Sequence, residues 1–370
     1  MMLAACSAWG ASDKSQWLIL AHLDGRGGLG PAVDAYEHQL RASSARHGFS
    51  VALRIVVDQG PPLNAVRGVL WRSGQLQATQ PVSRSDGAAE GLADFIAWAT
   101  TAQPAEHYAL LVMGHGAGLL SDAAALPAGA LRPSALRAGL QQACAKLGQP
   151  LDVVCLDTCY GGTLEVLYGL RGSCLYATAA PGLIFSPGLD WAGALENLAQ
   201  DPGALSLVRG VISKGMSRFE PASALVGVNM GQLGSVSDKA RALSELLRAH
   251  LAAEMQTLTW ARAHCRSWGD HGELADVAAL ASGLEHNAAT PVVRAAAAEL
   301  RAALEQVVVA AWESNGAAEH GALGVYFPLT LTETPPEYRS AYEFASSCGW
   351  AELLDSYWVR ITQLLNTNAP

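Results

Sequence analysis

The chain has 370 residues, 50% of them hydrophobic and 15% charged, and its formal net charge is −9. A chain of this length can bury one large core or form two domains. No apolar run approaches the roughly 18 to 20 residues that a membrane-spanning helix needs. Lysine and arginine form no dense cluster, which argues against nucleic acid as a partner.

The N-terminal stretch contains Leu3-Ala4-Ala5-Cys6, which resembles the lipobox of a bacterial lipoprotein. A lipobox follows a charged region and then an apolar region, and almost nothing precedes this one. Two interpretations stay open: the start codon is assigned too late, or the match arises by chance. Under the first, Cys6 carries a lipid, which is the only membrane attachment we predict. The protein is then exported (periplasmic, secreted or lipid-anchored); under the second, a cytoplasmic location stays open.

The first half of the chain alternates between strand and helix patterns. Apolar runs predict strands over 16–25, 50–60, 67–74, 107–118, 173–182 and 222–231, and a further strand that begins at 151. Helical spacing predicts helices over 31–46, 87–105, 133–148 and 162–170. The segments 119–132 and 181–204 are typical of loops. This alternation predicts an α/β fold, with a mostly parallel sheet covered by helices on both faces.

The second half of the chain is richer in helix. Long amphipathic patterns predict helices over 235–258, 288–304 and 337–363, and shorter apolar runs predict strands over 305–313 and 321–330. We predict three parts, which are a tail (1–16), a core (17–234) and a helix-rich C-terminal region that packs on the core and adds further strands (235–370).

A histidine and a cysteine each follow one of the predicted core strands. His115 ends the run ALLVMGHG, and Cys159 follows LDVVCLDT, just before glycines and a helix start. A catalytic thiol needs partial exposure, a helix N-terminus and a neighbouring imidazole. Either residue alone is more often structural, but neighbouring parallel strands bring both ends to the same sheet edge. The N–H groups of Gly116 and Cys159 would then form an oxyanion hole.

The other cysteines carry less information. The chain has seven cysteines, none with zinc-type spacing, and no EF-hand loop, so we predict neither a metal site nor a cofactor. Cys155 and Cys174 lie in apolar runs and are expected to pack as small hydrophobic residues.

At these residues the chain resembles the clostripain-like cysteine peptidases, which have a caspase-type fold and belong to the clan of caspases and gingipains. The family's motif Asp-x-Cys-Leu/Tyr-Met/Gly-x-x-x-Glu-Val corresponds to DTCYGGTLEV (157–166), and its His-Gly-x-Gly motif to HGAG (115–118). The pattern that precedes the histidine corresponds to DFIAWATTAQPAEHYALL (94–111). The resemblance covers about residues 17 to 360 and implies a caspase-like α/β fold.

The resemblance implies a cysteine endopeptidase that cleaves protein or peptide substrates after Arg or Lys through a thioester. Cys159 would be the nucleophile and His115 the general base, and Asp157 would form the floor of the S1 pocket, where it can accept a basic side chain. We add Thr158 and Asp190 to the candidate S1 residues. Glu165 matches the family motif, but a structural pairing role is expected for it.

Family members often mature by self-cleavage after a basic residue between the histidine and the cysteine. The candidates here are Arg132, Arg137 and Lys146, and Arg132 is expected to be the most accessible.

Three departures from the family pattern concern charge, one of which is Asn229-Met230, where the family commonly has an acid. Arg26 stands where the family commonly has an acid, and the segment after the cysteine helix has no acid before Asp190. The S1 pocket is therefore expected to be less acidic than is usual.

Three other functions are alternatives to this one. The first is a catalytically silent caspase-fold module that binds peptides or acts as a scaffold. The second is a hydrolase with Cys155 as nucleophile, which lacks the Gly-x-Cys-x-Gly turn. The third is a dinucleotide enzyme, suggested by GRGGLG (25–30), which lacks a ribose-binding acid in register.

Overall fold

The computed structural model describes residues 14–57, 65–83, 88–116, 119, 131–185, 188–214, 224–269, 271–313, 321–330 and 333–367. The strands are β1 Ser15–Asp24, β2 Ser50–Val57, β3 Ala65–Arg72, β4 Gln75–Ser83, β5 Ala105–Met113, β6 Leu151–Asp157, β7 Cys174–Ala179, β8 Ala224–Asn229, β9 Ser267–Trp268, β10 Leu274–Asp276, β11 Val308–Glu313 and β12 Gly324–Tyr326. The helices are α1 Gly30–His47, α2 Ala88–Ala102, α3 Pro133–Leu147, α4 Leu164–Gly169, α5 Trp191–Gln200, α6 Ala204–Lys214, α7 Leu233–Ala249, α8 Leu251–His264, α9 Val277–Asn287, α10 Pro291–Val307, α11 Pro336–Ala341, α12 Glu343–Ser347 and α13 Trp350–Thr367.

In the described part of the chain, nine strands form the main sheet, in the order β11-β8-β7-β6-β5-β1-β2-β3-β4. The five central strands, β7 to β2 in this order, pair in parallel, and two antiparallel strands flank them on each side. Parallel neighbours end at the same edge, so the residues after β5 and β6 lie beside each other.

Apolar side chains cover both faces of the sheet, as expected for parallel strands with helical crossovers. On β1, Leu18 and Leu20 join one cluster with Phe95 of α2, while Trp17 faces the opposite cluster with Tyr36 of α1. All five side chains are almost completely buried.

The C-terminal region contributes to this core, and the prediction that it adds strands is confirmed. β11 pairs antiparallel with β8 at the edge of the main sheet, and β12 pairs with β10 in a separate three-stranded sheet. Leu300 and Trp350 belong to the same apolar cluster as Leu18. The proposed boundary at residue 234 stays a prediction.

Several predicted elements differ from the structure. The segment 181–204 was predicted as loop but contains α5, which begins at Trp191. Its glycines and prolines obscured the helical pattern, although Asp190 is a good N-cap residue. The helix predicted over 235–258 is two helices that meet at His250, and that over 337–363 is three. The pattern over 67–74 is compatible with an edge strand, but β4 pairs with β3 on its outer side and forms the edge of the sheet instead.

No helix in the described part of the chain is both long enough and apolar enough to cross a membrane.

Candidate active site

The predicted histidine and cysteine lie at the ends of two paired strands. Met113, the last residue of β5, pairs with Asp157, the last residue of β6. A Cβ added to Gly116 would lie 2.0 Å from the carbonyl oxygen of Cys159. The backbone after His115 therefore packs directly on the backbone of Cys159, and only glycine permits this approach.

Backbone groups surround the Cys159 thiol, which is partly buried. The N–H of Ile184 lies 3.3 Å from Sγ. Burial raises the pKa of the thiol, and backbone N–H groups of Ile184, Cys159 and Gly116 act in the opposite direction. Donors that favour a thiolate can also stabilise the oxyanion of an acyl-transfer reaction. The next residue, Tyr160, has a φ of 60°, a strained backbone conformation often found at functional sites.

The His115 ring is exposed and is oriented by a backbone carbonyl. Its Nε2 lies 3.0 Å from the carbonyl oxygen of Gly27. Because a carbonyl oxygen only accepts hydrogen bonds, this contact requires the proton on Nε2. In the neutral ring, Nδ1 is then the nitrogen that can take a proton from a thiol.

The loop that carries Gly27 is held by a buried ion pair between Asp24 and Arg26. The Arg26 guanidinium donates from Nε to Oδ1 at 2.8 Å and from an Nη to Oδ2 at 2.6 Å. This bidentate geometry is the strong form of an arginine–carboxylate contact. The departure from the family pattern at Arg26 is therefore compensated inside the fold by Asp24.

The Asp157 carboxylate is buried beside the thiol, and its two oxygens differ. Oδ2 accepts hydrogen bonds from the Tyr36 hydroxyl, from the Leu189 N–H at 3.1 Å and from the Trp191 Nε1–H at 3.4 Å. No donor among the described residues bonds to Oδ1. Burial raises the pKa of this carboxyl to about 6, and the donors on Oδ2 lower it in part.

Two clefts flank Cys159. The first, called here the Asp157 cleft, is lined by Asp157, Thr158, Cys159, Met113, Gly114, Leu29, Ala32, Ile184, Phe185 and Gly188. The second is mostly apolar and includes His115, Gly116, Leu131, Leu136 and Tyr160. The Asp157 cleft has room for about 40 Å³, far less than the roughly 300 to 1,000 Å³ of a typical ligand pocket. In this conformation a long side chain enters only if the lining residues move.

A sequence profile of the Clostripain family matches residues 69–358. The chain belongs to the clostripain family. It is a cysteine-type peptidase, as predicted from the motifs around His115 and Cys159. No curated protein sequence matches the chain.

Solved structures of similar fold include other C11 proteases. An inactive zymogen C11 protease from Parabacteroides distasonis matches with a TM-score of 0.66 and 16% identity, over 90% of this chain and 98% of that one. A secreted C11 cysteine protease from Bacteroides thetaiotaomicron, in complex with an irreversible peptide inhibitor, matches with a TM-score of 0.65 and 14% identity, over 91% and 99%. These matches confirm the predicted caspase-like α/β fold for this clostripain-family peptidase.

The remaining predicted site residues lie away from the thiol or outside the described residues. Asp190 caps α5, where its Oδ1 accepts from the Gly193 N–H at 3.2 Å, and it lines neither cleft. Its S1 role stays a prediction. Cys6 lies outside the described residues.

The three candidate self-cleavage residues of the peptidase occupy different backbone environments. Arg132 is exposed and extended, with φ −74° and ψ 159°, directly before α3. Arg137 and Lys146 lie inside α3, where cleavage would require the helix to unwind.

Two further residues of the nucleophile motif have structural positions. Cys155 is fully buried in β6, and burial raises the pKa of its thiol to about 12, so it is not placed to act as a nucleophile. Glu165 is also buried, and its Oε1 accepts from the Tyr326 N–H at 2.8 Å and the Tyr338 hydroxyl at 2.7 Å. Glu165 thus joins α4 to β12 and α11, in agreement with the pairing role expected for it.

The sequence did not reveal the donors around Asp157 or the carbonyl that orients His115. Tyr36 lies 121 positions before Asp157 and repeats the ordinary apolar spacing of α1. Trp191 stands in a segment that was predicted as loop. The helix N-cap signal at Asp190 was the one available sign that Trp191 begins an ordered element beside the site.

Proposed function

We propose that this peptidase is an endopeptidase that cleaves peptide bonds after Arg or Lys through a Cys159–His115 dyad. The observation that carries the proposal is the close approach of three groups at one sheet edge. They are the thiol, the Gly116 backbone beside the histidine, and the buried Asp157 carboxylate.

The chemistry follows from the donors and acceptors around the thiol. Nδ1 of His115 takes the Cys159 proton, and the thiolate attacks the substrate carbonyl carbon. The N–H groups of Gly116 and Cys159 stabilise the tetrahedral oxyanion. As the peptide C–N bond breaks, the imidazolium returns its proton to the leaving amine. Water then hydrolyses the thioester, with His115 again as the base.

The preference for a basic side chain is attributed to Asp157. Its Oδ1 is the carboxylate oxygen without a donor in the described part of the chain, and the carboxyl lines the cleft next to the thiol. A guanidinium or ammonium group would form a charge-assisted hydrogen bond there. The inhibitor-bound C11 protease from Bacteroides thetaiotaomicron supports peptides as the substrate class.

A panel of fluorogenic peptides that end in Arg, Lys, Ala or Asp tests the proposal. We expect wild-type protein to cleave after Arg and Lys, the Cys159→Ala variant to be inactive, and the control Cys155→Ala to retain activity. Equal cleavage after Arg and Ala by the wild type would contradict the basic specificity while leaving the nucleophile in place.

We also propose self-cleavage after Arg132. It is the one candidate in extended backbone, the conformation in which peptidases bind their substrates. The bond that follows leads to Pro133, and the Arg132 carbonyl oxygen accepts from the Leu136 N–H at 2.8 Å, so only the first turn of α3 must open before cleavage. We expect N-terminal sequencing of an aged preparation to find a fragment that begins at Pro133. The fragment should be absent from Arg132→Gln and from Cys159→Ala, whereas Arg137→Gln should still produce it.

Export is proposed from the lipobox-like sequence and from the secreted C11 relative. Membrane fractionation of cells that express the full-length gene should find the protein with the membranes, and Cys6→Ser should release it. A soluble wild-type protein in the cytoplasm would contradict this.

A further inference from the structure

The hydroxyl of Tyr36 is the donor nearest to the Asp157 carboxylate, although it comes from a distant part of the sequence. Tyr36 lies on α1 with its side chain fully buried. It donates to Oδ2 of Asp157, and its own oxygen accepts from the Leu189 N–H at 2.6 Å. A chain of hydrogen bonds therefore runs from the backbone after the Asp157 cleft, through Tyr36, to the carboxylate.

The surrounding backbone is shaped for this contact. Gly188 has a φ of 88°, and a Cβ at this position would lie 2.0 Å from the Tyr36 oxygen and 3.1 Å from Oδ2 of Asp157. Trp191, the first residue of α5, donates its indole N–H to the same oxygen at 3.4 Å. All of these donors approach one side of the carboxylate, which fixes the orientation of its plane.

Because Oδ2 of Asp157 is held by its donors, Oδ1 is the oxygen that can bind a cation. A carboxylate that rotates freely, or that becomes protonated, is a poor partner for a cation in a narrow cleft. Here Oδ2 is occupied by three donors, while Oδ1 has none among the described residues. The hydroxyl also favours the ionised carboxylate against the effect of burial.

We propose that Tyr36 is a specificity-determining residue, whose hydroxyl holds Asp157 so that Oδ1 receives the basic P1 side chain of the substrate. The inference rests on the proposed cleavage after Arg or Lys. Tyr36 does not touch the reacting atoms and acts through Asp157.

The test compares two buried tyrosine–carboxylate pairs of the same chain. Tyr36→Phe removes the hydroxyl from Asp157, and the matched control Tyr338→Phe removes the hydroxyl that donates to Glu165, which does not line the Asp157 cleft. Both substitutions keep the ring and its packing, so both proteins are expected to fold, which circular dichroism and thermal unfolding would verify.

The readout is kcat/KM for a peptide that ends in Arg, divided by kcat/KM for the same peptide that ends in Ala. Because Tyr36→Phe loses a hydrogen bond to a charged group, it should lower this ratio about tenfold or more, mostly through a higher KM for the Arg peptide. Tyr338→Phe should leave the ratio at the wild-type value, even if it lowers the unfolding temperature.

The possible outcomes separate the inference from the proposed function. If Asp157→Asn removes the preference for Arg and Tyr36→Phe keeps it, the role of Tyr36 is wrong and the function of Asp157 stands. If Tyr338→Phe lowers the ratio as much as Tyr36→Phe, the effect is a general loss of stability, and the inference is again wrong. A wild-type enzyme with no preference for Arg would overturn the proposed specificity itself.

Discussion

Two buried carboxylates on either side of Cys159 show how similar contacts produce different roles. Asp157 and Glu165 each accept a tyrosine hydroxyl and a backbone N–H, and burial raises the pKa of both, to about 6 and about 7. Asp157, however, lines the cleft beside the thiol, whereas Glu165 links α4 to β12 and α11. The location of the pair in the fold, rather than its chemistry, separates the proposed substrate-binding group from the structural one.

The largest expected effect comes from neutralising Asp157, and the same change at Glu165 is the control. Asp157→Asn should lower kcat/KM for a P1-Arg peptide by about 100-fold, because a partly desolvated cation would lose its charged partner. The cleavage of a P1-Ala peptide should change little. Glu165→Gln should leave the Arg-to-Ala ratio unchanged, and a drop in that ratio would contradict the comparison.

The backbone around Asp157 gives a second test. Gly188→Ala would place a methyl group against the Tyr36 oxygen, so we expect roughly a tenfold loss of P1-Arg cleavage, similar to the loss of the hydrogen bond itself. Gly172→Ala is the matched control, since Gly172 has a φ of 79° and nothing within 4 Å of an added Cβ. Both variants carry the steric cost of an L-residue at positive φ, about 1–2 kcal/mol. Equal kinetic losses in the two would mean that strain alone is responsible.

The pH dependence of specificity follows from the raised pKa of Asp157. Since that pKa is about 6, the carboxyl is ionised above pH 6 and becomes neutral below it. The Arg-to-Ala ratio of kcat/KM should therefore be constant near pH 8 and fall about tenfold for each unit below pH 6. Any pH dependence of the catalytic step itself affects both peptides and cancels in the ratio. A ratio that stays constant down to pH 4.5 would contradict an Asp157 contact with the substrate.

The smallest effect concerns stability and belongs to Glu165. Its folded-state pKa of about 7 lies above the usual 4.5, so the folded protein holds a proton that the unfolded chain releases. This contribution to stability is complete below pH 4.5 and is lost as the pH rises to about 7. Over that range, the free energy of unfolding of the wild type should fall by on the order of 2 kcal/mol more than that of Glu165→Gln. Urea titrations at both pH values measure the difference, and parallel curves would contradict it.

The proximity of His115 and Cys159 could be predicted from sequence, whereas the groups that bond to Asp157 and His115 could not. Apolar runs that stop at His115 and Cys159 identify neighbouring strands, because parallel strands end at a common edge. Tyr36 and Trp191 reach Asp157 only through tertiary packing of α1 and α5. Their spacing looks like that of any core residue. The role of the Gly27 carbonyl could not be predicted for a different reason, because every residue carries a backbone carbonyl whatever its side chain.

Charge in the first loop illustrates the same limit. Arg26 stands where the family commonly has an acid, yet the structure pairs it with Asp24 two residues before. A sequence pattern reports which charge is present, whereas its consequence depends on the partner that the fold supplies.

The most direct test of the central claim is covalent capture by a peptide electrophile that ends in Arg, followed by intact and peptide mass spectrometry. We predict one adduct, located on Cys159. It should form much faster than with the same electrophile ending in Ala, and more slowly in His115→Ala and Asp157→Asn. An adduct on another cysteine, or equal rates for the Arg and Ala reagents, would contradict the account.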